Sequence, residues 1–421
     1  MVDDAVLAEL RREAHNGAPQ ALFQLASALV RRQEVEEAFV LHRRAAEAGL
    51  ANAQIEYARM LLYGVGAEAD PEHAAGWLLR AEAAGSPIAS YFLALMALGE
   101  VALPRDGRIN DRLMAAVRAD YPPAVRAAAV HFGRRPYDAN QALCMQLLER
   151  AAGQGDVVSA RLLLERLARG EGCDPQPAAA RELAAQLARR GIGLLPHIQG
   201  PTPAASGPGP GALALEEAWL PVAARERHAN PRIITIDNLL SADECRLLVA
   251  NAEAHLQRSQ AVDPESGTAS AMGLRTSSDA SIDPIVEDLA LRLVQLRMAR
   301  AANLPLSHAE HLTVLQYDPG QEYRPHRDYL PASTVAREGM RSGNRLRTIC
   351  VYLNDVEAGG ETDFPVAGVR VTPKAGRAVI FDNLRADGSP DPDSLHAGLP
   401  VQRGQKWLAT LWLRQAPYRT F

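Results

Sequence analysis

The chain has 421 residues, 45 basic against 50 acidic, and a formal net charge of −5. That length accommodates two or three domains, each able to bury its own core. The lack of a basic excess argues against nucleic-acid binding, and no run reaches the ~20 apolar residues of a membrane span. The N-terminus, MVDDAVLAELRREAH, is charged at once and has no apolar core, so it does not read as a secretory signal. Cys144, Cys173, Cys245 and Cys350 show no CxxC spacing and read as small buried hydrophobes of a reducing compartment. A cytoplasmic protein with neither nucleic-acid nor membrane partners is expected.

Residues 1–195 are rich in Ala, Leu, Arg and Glu with apolar positions at helical spacing. A glycine followed four positions later by a small residue recurs at Gly17/Ala21, Gly49/Ala53 and Gly85/Ala89. Asp120/Ala124 and Gly155/Ser159 continue the series less faithfully. Such a period predicts stacked helix hairpins, with small residues at close helix contacts and a glycine ending each second helix. The stretch from Leu61 to Gly85, LLYGVGAEADPEHAAGWLLRAEAAG, resembles Sel1-like repeats, which are related to tetratricopeptide solenoids. That resemblance implies that residues 1–195 recruit a protein partner.

From Pro196 to Leu213 the chain is rich in Pro, Gly, Ala and Ser and lacks an apolar face, so residues 196–229 read as a linker unless 214–229 dock. A second domain is expected over 230–421. RIITID alternates like a strand, and Ser241 with Glu244 forms a capping box for the helix that follows. IDPIVEDLALRLVQLRMARAAN reads as a second amphipathic helix. The pattern then turns to short strands, HLTVLQY, RTICVYL, GVRVTP, GRAVIFD and KWLATLWLR, separated by PG, GG and AG turns. These predict an antiparallel barrel or jelly roll, a double-stranded β-helix flanked by helices. The fold class is thus multidomain: an N-terminal all-α solenoid and a C-terminal α+β domain with a jelly-roll core.

Within YDPGQEYRPHRD, His326 and Asp328 are two apart and share one face if the segment is extended. His396, in SLHAG, completes a set of two imidazoles and one carboxylate, the facial ligand pattern of non-haem Fe(II) oxygen chemistry. Lys406 follows His396 by ten residues and opens a strand, where it is placed to meet the far carboxylate of a dicarboxylate cosubstrate. His308 and His311 lack a carboxylate at ligand spacing and are read as surface and core residues. Asp355, Glu357 and Glu361 are read as turn acids beside Gly359 and Gly360. The loop from Tyr329 to Asn344 is a possible lid, and Arg275 is left unplaced.

Pro231 to Arg414 resembles the prolyl 4-hydroxylase family of Fe(II)- and 2-oxoglutarate-dependent dioxygenases. LLSADEC, DPESG, LRTSS, YDPGQEYRPHRDY, RLRTICVYLNDVEAGGETDFP and DPDSLHAGLPVQRGQKWLATLW carry the match. The resemblance implies that His326, Asp328 and His396 ligate iron and that Lys406 pairs with the C5 carboxylate of 2-oxoglutarate. It implies further that Tyr317, Thr348 and Thr410 line the cosubstrate pocket and that Tyr323 and Trp412 lie beside substrate. O2 is the oxidant, 2-oxoglutarate is split to succinate and CO2, and ascorbate restores the metal. The expected activity is hydroxylation of a residue, most simply proline, in a protein or peptide. The alternatives are the same chemistry on a small molecule or another side chain, or a non-enzymatic interaction protein.

Overall fold

The computed structural model describes residues 3–198, 211–259, 261–262, 269–270, 275–336 and 341–421. Most of the Pro/Gly-rich linker, the DPESG stretch, Leu274 and residues 337–340 of the expected lid lie outside the described residues. Two compact units are formed: Met1–Ala124 with Thr420–Phe421, and Val125–Arg419.

The first unit contains helices α1 (Asp4–Ala14), α2 (Pro19–Arg31), α3 (Val35–Glu47), α4 (Ala51–Tyr63), α5 (Pro71–Ala83), α6 (Pro87–Gly99) and α7 (Ile109–Arg118). Hairpin stacking follows from the glycine period. Gly17, Gly49 and Gly85 have φ of +71°, +90° and +88°, a left-handed turn that ends one hairpin and starts the next. Asp120 takes the same role at φ +59°, which explains why the motif survives there without glycine. The small residue four positions on is fully buried at Ala53 and Ala89. Asp70 and Ser86 cap α5 and α6 by accepting from His73 N–H and Ala89 N–H. Arg112 is buried between Glu82 and Asp106, each at 2.9 Å.

Helices α8 (Pro122–Gly133), α9 (Asp138–Gly153), α10 (Val157–Arg169) and α11 (Pro177–Arg189) continue the hairpin pattern. From Val125 onward they nevertheless belong to the second unit, so the compact division falls at 124 while the repeat pattern runs to 195. The physical reason is a set of buried ion pairs. Arg134 pairs with Glu244, and Arg166 reaches Asp243 at 2.5 Å. Arg246 reaches Glu171 at 2.7 Å and Ile198 O at 2.8 Å, and Arg126 binds Asp288 at 2.5 Å. Asp243, Glu244 and Arg246 all lie on α12 (Ala242–Ala252), and Asp288 caps α13 (Leu289–Ala301).

The end of the expected linker is docked. Leu215, Ala218 and Trp219 are buried in a 3-10 turn, and Gly211 N–H donates to Asn140 Oδ1 at 2.8 Å. Residues 225–229, expected as linker, form the first strand. The strands are β1 (Arg225–Ala229), β2 (Arg232–Ile236), β3 (Gln257–Arg258), β4 (Ala261–Val262), β5 (Ala269–Ser270), β6 (Ser278–Ser281), β7 (Thr313–Tyr317) and β8 (Tyr323–His326). They continue as β9 (Arg345–Tyr352), β10 (Ala358–Gly359), β11 (Thr362–Phe364), β12 (Val369–Val371), β13 (Ala378–Asp382), β14 (His396–Gly398), β15 (Val401–Arg403) and β16 (Lys406–Arg414). An eight-stranded sheet runs β1-β2-β13-β9-β16-β7-β6-β3, and a four-stranded sheet runs β12-β11-β14-β8. All pairings are antiparallel, as expected for the jelly-roll reading. Residues of both sheets, including Tyr317, Tyr352, Phe364, Val371, Phe381 and Leu408, form one apolar core. The Ser241–Glu244 capping box is present, both bonds made.

Among the described residues, no helix is long and apolar enough to cross a membrane.

Candidate metal centre and pocket

β14 pairs antiparallel with β8, and the register sets His396 directly opposite His326. Asp328 follows two residues beyond β8, so all three side chains converge. His326 Nε2 lies 3.6 Å from Asp328 Oδ1, and His396 Nε2 lies 3.7 Å from Asp328 Oδ2. The two rings are 4.2 Å apart. Among the described residues this is the one such cluster of three potential ligands, all within 4.8 Å of one another.

Each histidine is oriented by the carbonyl two residues before it. His326 Nδ1 meets Arg324 O at 2.8 Å, and His396 Nδ1 meets Ser394 O at 3.0 Å. A carbonyl only accepts, so in each ring Nδ1 carries a proton and Nε2 is the nitrogen turned to the cluster. Burial pushes His396 down to about 4, so that imidazole is neutral at neutral pH. Burial opposes the charge of Asp328, yet His396 and His326 hold its carboxyl below the usual range. Two imidazoles turned by Nε2 toward one carboxylate form a donor set that fits a divalent iron ion.

The centre opens onto a pocket of about 430 Å³, counting its mouth. Lys406, Leu408, Thr410 and Trp412 alternate along β16 and all line it, as the two-residue period of a strand requires. Tyr317 lies opposite Lys406 in the β7 register, and Cys350 lies opposite Thr410 in β9. The Lys406 ammonium is 5.0 Å from the Tyr317 ring and 5.6 Å from the Tyr352 ring. Among the described residues it has no carboxylate partner, and burial pushes it down to about 8. Gly360 leaves room for its stem: a Cβ there would sit 3.1 Å from Lys406 Cδ. The adjacent Gly359 has φ +79°, and a Cβ would fall 2.3 Å from Pro400 O, so only glycine makes this connection.

Of the nine residues expected at the site, eight line the cluster or pocket. Thr348, expected on the cosubstrate wall, is placed differently: its hydroxyl donates to Asp328 Oδ2 at 2.8 Å. Its burial behind the candidate ligand accounts for the difference. Tyr323 stacks on His326, with ring centroids 3.4 Å apart, and Arg275 lies 5.0 Å from the Tyr323 ring. Arg275, left unplaced by the sequence, is therefore on the pocket wall. Sequence reasoning missed Glu310 and Arg345. Glu310 takes two 2.8 Å bonds from Arg345, whose guanidinium lies 4.0 Å from the Trp412 ring. It also missed Asn383, which donates to Thr348 at 2.9 Å. His308 and His311 lie outside the pocket, His308 bonded to Arg414 O. Asp355 is a turn acid that accepts from Ala375 N–H.

A two-sheet antiparallel core with a histidine–aspartate–histidine cluster and a basic pocket floor defines the oxygenase class. The sequence profile of the 2OG-Fe(II) oxygenase superfamily matches residues 312–414. Probable prolyl 4-hydroxylase 3 of Arabidopsis thaliana is 36% identical over 208 residues, covering 45% of this chain and 71% of its own. Among solved structures, the viral collagen prolyl hydroxylase of Paramecium bursaria Chlorella virus-1 is 28% identical with a TM-score of 0.34, covering 43% of this chain and 95% of its own. A Sel1 repeat protein from Oxalobacter formigenes is 19% identical with a TM-score of 0.37, covering 41% of this chain and 74% of its own.

The chain belongs to the prolyl 4-hydroxylase family of 2OG-Fe(II) oxygenases and is a 2-oxoglutarate-dependent dioxygenase. Family membership implies Fe(II) as the metal, with 2-oxoglutarate and O2 as cosubstrates.

Proposed function

We propose that this dioxygenase hydroxylates a residue, most simply proline, in a protein or peptide, with His326, Asp328 and His396 holding Fe(II). The observation that carries the reading is the pairing of the three convergent ligands with a buried lysine that has no ion-pair partner among the described residues, in one pocket. When bound, the iron supplies the oxygen activation that no protein side chain can perform. The chain's own residues bind and orient. Lys406 attracts the far carboxylate of 2-oxoglutarate and so aims its oxo-acid end at the metal cluster. Tyr317 and Thr410 flank that cosubstrate, and Leu315 and Leu408 keep its middle dry. Low dielectric around Lys406 strengthens the single charge pair it makes.

Tyr323 and Trp412 line the same pocket as the ligands and offer aromatic surface to a substrate ring. Ascorbate as the restoring reductant, and a cytoplasmic setting, belong to the same reading. Recruitment of the partner is assigned to hairpins preceding Val125, because helices beyond it direct Arg126, Arg134 and Arg166 at acids of the second unit.

Incubation of the full chain with Fe(II), labelled 2-oxoglutarate and proline-rich peptides tests the proposal. Succinate release coupled to a +16 mass on proline is expected. Turnover with free amino acids or small molecules alone overturns the peptide assignment, and no succinate under any condition overturns the enzyme reading of the site.

A further inference from the structure

We propose that Asn383 is a positioning residue for the metal centre, acting on Asp328 through Thr348 and on His396 through the Asp391–Ser394 turn. The inference rests on the metal-site reading above and adds a residue that lines neither the cluster nor the pocket.

The first arm is a directed chain. Asn383 Nδ2 donates to Thr348 Oγ1 at 2.9 Å, and Thr348 Oγ1 donates to Asp328 Oδ2 at 2.8 Å. The direction is fixed by chemistry. An ionised carboxylate only accepts, and a hydroxyl has one proton to give. Thr348 can therefore serve Asp328 only if its other neighbour is a donor, which is what the amide nitrogen supplies. Both residues are fully buried, so no water competes for either bond. With Oδ2 anchored, the Asp328 carboxylate cannot rotate freely about its terminal torsion.

The second arm leaves from the same residue's backbone. Asn383 O accepts from Asp391 N–H at 2.9 Å, and Asp391 O accepts from the Ser394 hydroxyl at 2.7 Å. Ser394 O in turn receives His396 Nδ1 at 3.0 Å. Asn383 itself is fixed by donating its N–H to Leu346 O at 2.9 Å, just past β13. One residue thus stands where supports for two of the three ligands meet. Its Oδ1 finds no partner among the described residues. A buried amide with an unmet acceptor is disfavoured as packing alone, and a smaller side chain would avoid that cost. The donated bond is what distinguishes asparagine at this position.

Groups that hold metal ligands in place typically govern metal affinity by ~10–100-fold. Co(II) is titrated into the metal-free full chain, and its visible absorption gives both Kd and ligand geometry. Asn383→Ala and Thr348→Val are each expected to weaken Kd by about 10–100-fold and alter the band shape. Thr348→Ser, which keeps the hydroxyl, is expected to retain most of the affinity. The double variant is expected to bind no worse than Thr348→Val alone, because the side-chain path runs through Thr348. Should Asn383→Ala fail to fold, Asn383→Ser replaces it. A wild-type Kd in the Asn383 variant, or additive losses in the double variant, overturns the inference. Wild type that binds no Co(II) overturns the metal centre itself and the inference with it.

Discussion

Arg166 and Lys406 are both 2% exposed, and both belong to the second compact unit, yet their surroundings are opposite. Arg166 makes bonds of 2.9 and 2.5 Å to Asp243 and reaches Gln141 Oε1 and Glu171 O. Around Lys406, among the described residues, there are aromatic rings, threonines and leucines, and no carboxylate within ion-pair distance. Burying a charge without a partner is costly. Where the partner is built in, as at Arg166, the cation locks helices to one another. Where it is missing but a pocket adjoins, the arrangement supports the proposal that an anion arrives from outside.

The contrast predicts different failures. His396→Ala removes one of three candidate ligands, and metal affinity should drop by more than about 100-fold in a Co(II) titration. Arg166→Met leaves the buried Asp243 carboxylate with Arg246 as its remaining cation, at 3.1 Å, and should cost up to about 3–5 kcal/mol in denaturant unfolding. An unchanged midpoint would show that the ion lattice does not hold α10 to α12. Lys406→Ala should raise the KM for 2-oxoglutarate by about 30–100-fold, the ~2–3 kcal/mol of a lost charge pair, with metal affinity kept. Loss of metal as complete as in His396→Ala would break the assignment of Lys406 to the cosubstrate.

Two smaller effects sharpen the point. Lys406 titrates at about 8 in the ligand-free chain, against 10.5 for the free side chain. The protonated form binds the dianion, so KM for 2-oxoglutarate should be flat below that pH and rise above it, up to about tenfold per unit. Stability moves the other way. Between the two values the unfolded chain holds the extra proton, so the ligand-free protein gains stability as pH rises through that window. Lys406→Met should abolish that pH dependence and stabilise the ligand-free protein at neutral pH by about 1–3 kcal/mol, visible as a higher Tm.

Much of this was legible in the sequence where a period or a spacing carried it. The glycine series located the hairpin junctions because a left-handed turn selects Gly or, at Asp120, a residue that tolerates it. His326, Asp328 and His396 were legible because the His-x-Asp spacing and a second histidine match a facial ligand set, although β8 ends at His326 and Asp328 lies just beyond it. Thr348 was found but placed on the wrong surface, since strand alternation does not say which neighbour a buried hydroxyl meets. Asn383 and Glu310 were invisible: their partners come from the pairing of β9 with β13 and β16, a register no local pattern encodes. The compact division at 124 was missed for a related reason. Arg126 on α8 and Arg166 on α10 look like solvated helix surface until acids from elsewhere are set against them.

The β8–β14 register has a consequence for how the protein comes to life after synthesis. His326 and His396 become neighbours only once strands distant along the chain have zipped together. Metal capture is therefore a late reporter of folding: local helices form early, whereas this pairing waits on long-range closure. Stopped-flow refolding in Co(II) should show the visible band emerging after the bulk of the far-ultraviolet helical signal. Newly made chains would then pass through an interval in which the hairpins are in place and the oxygenase is still without its metal.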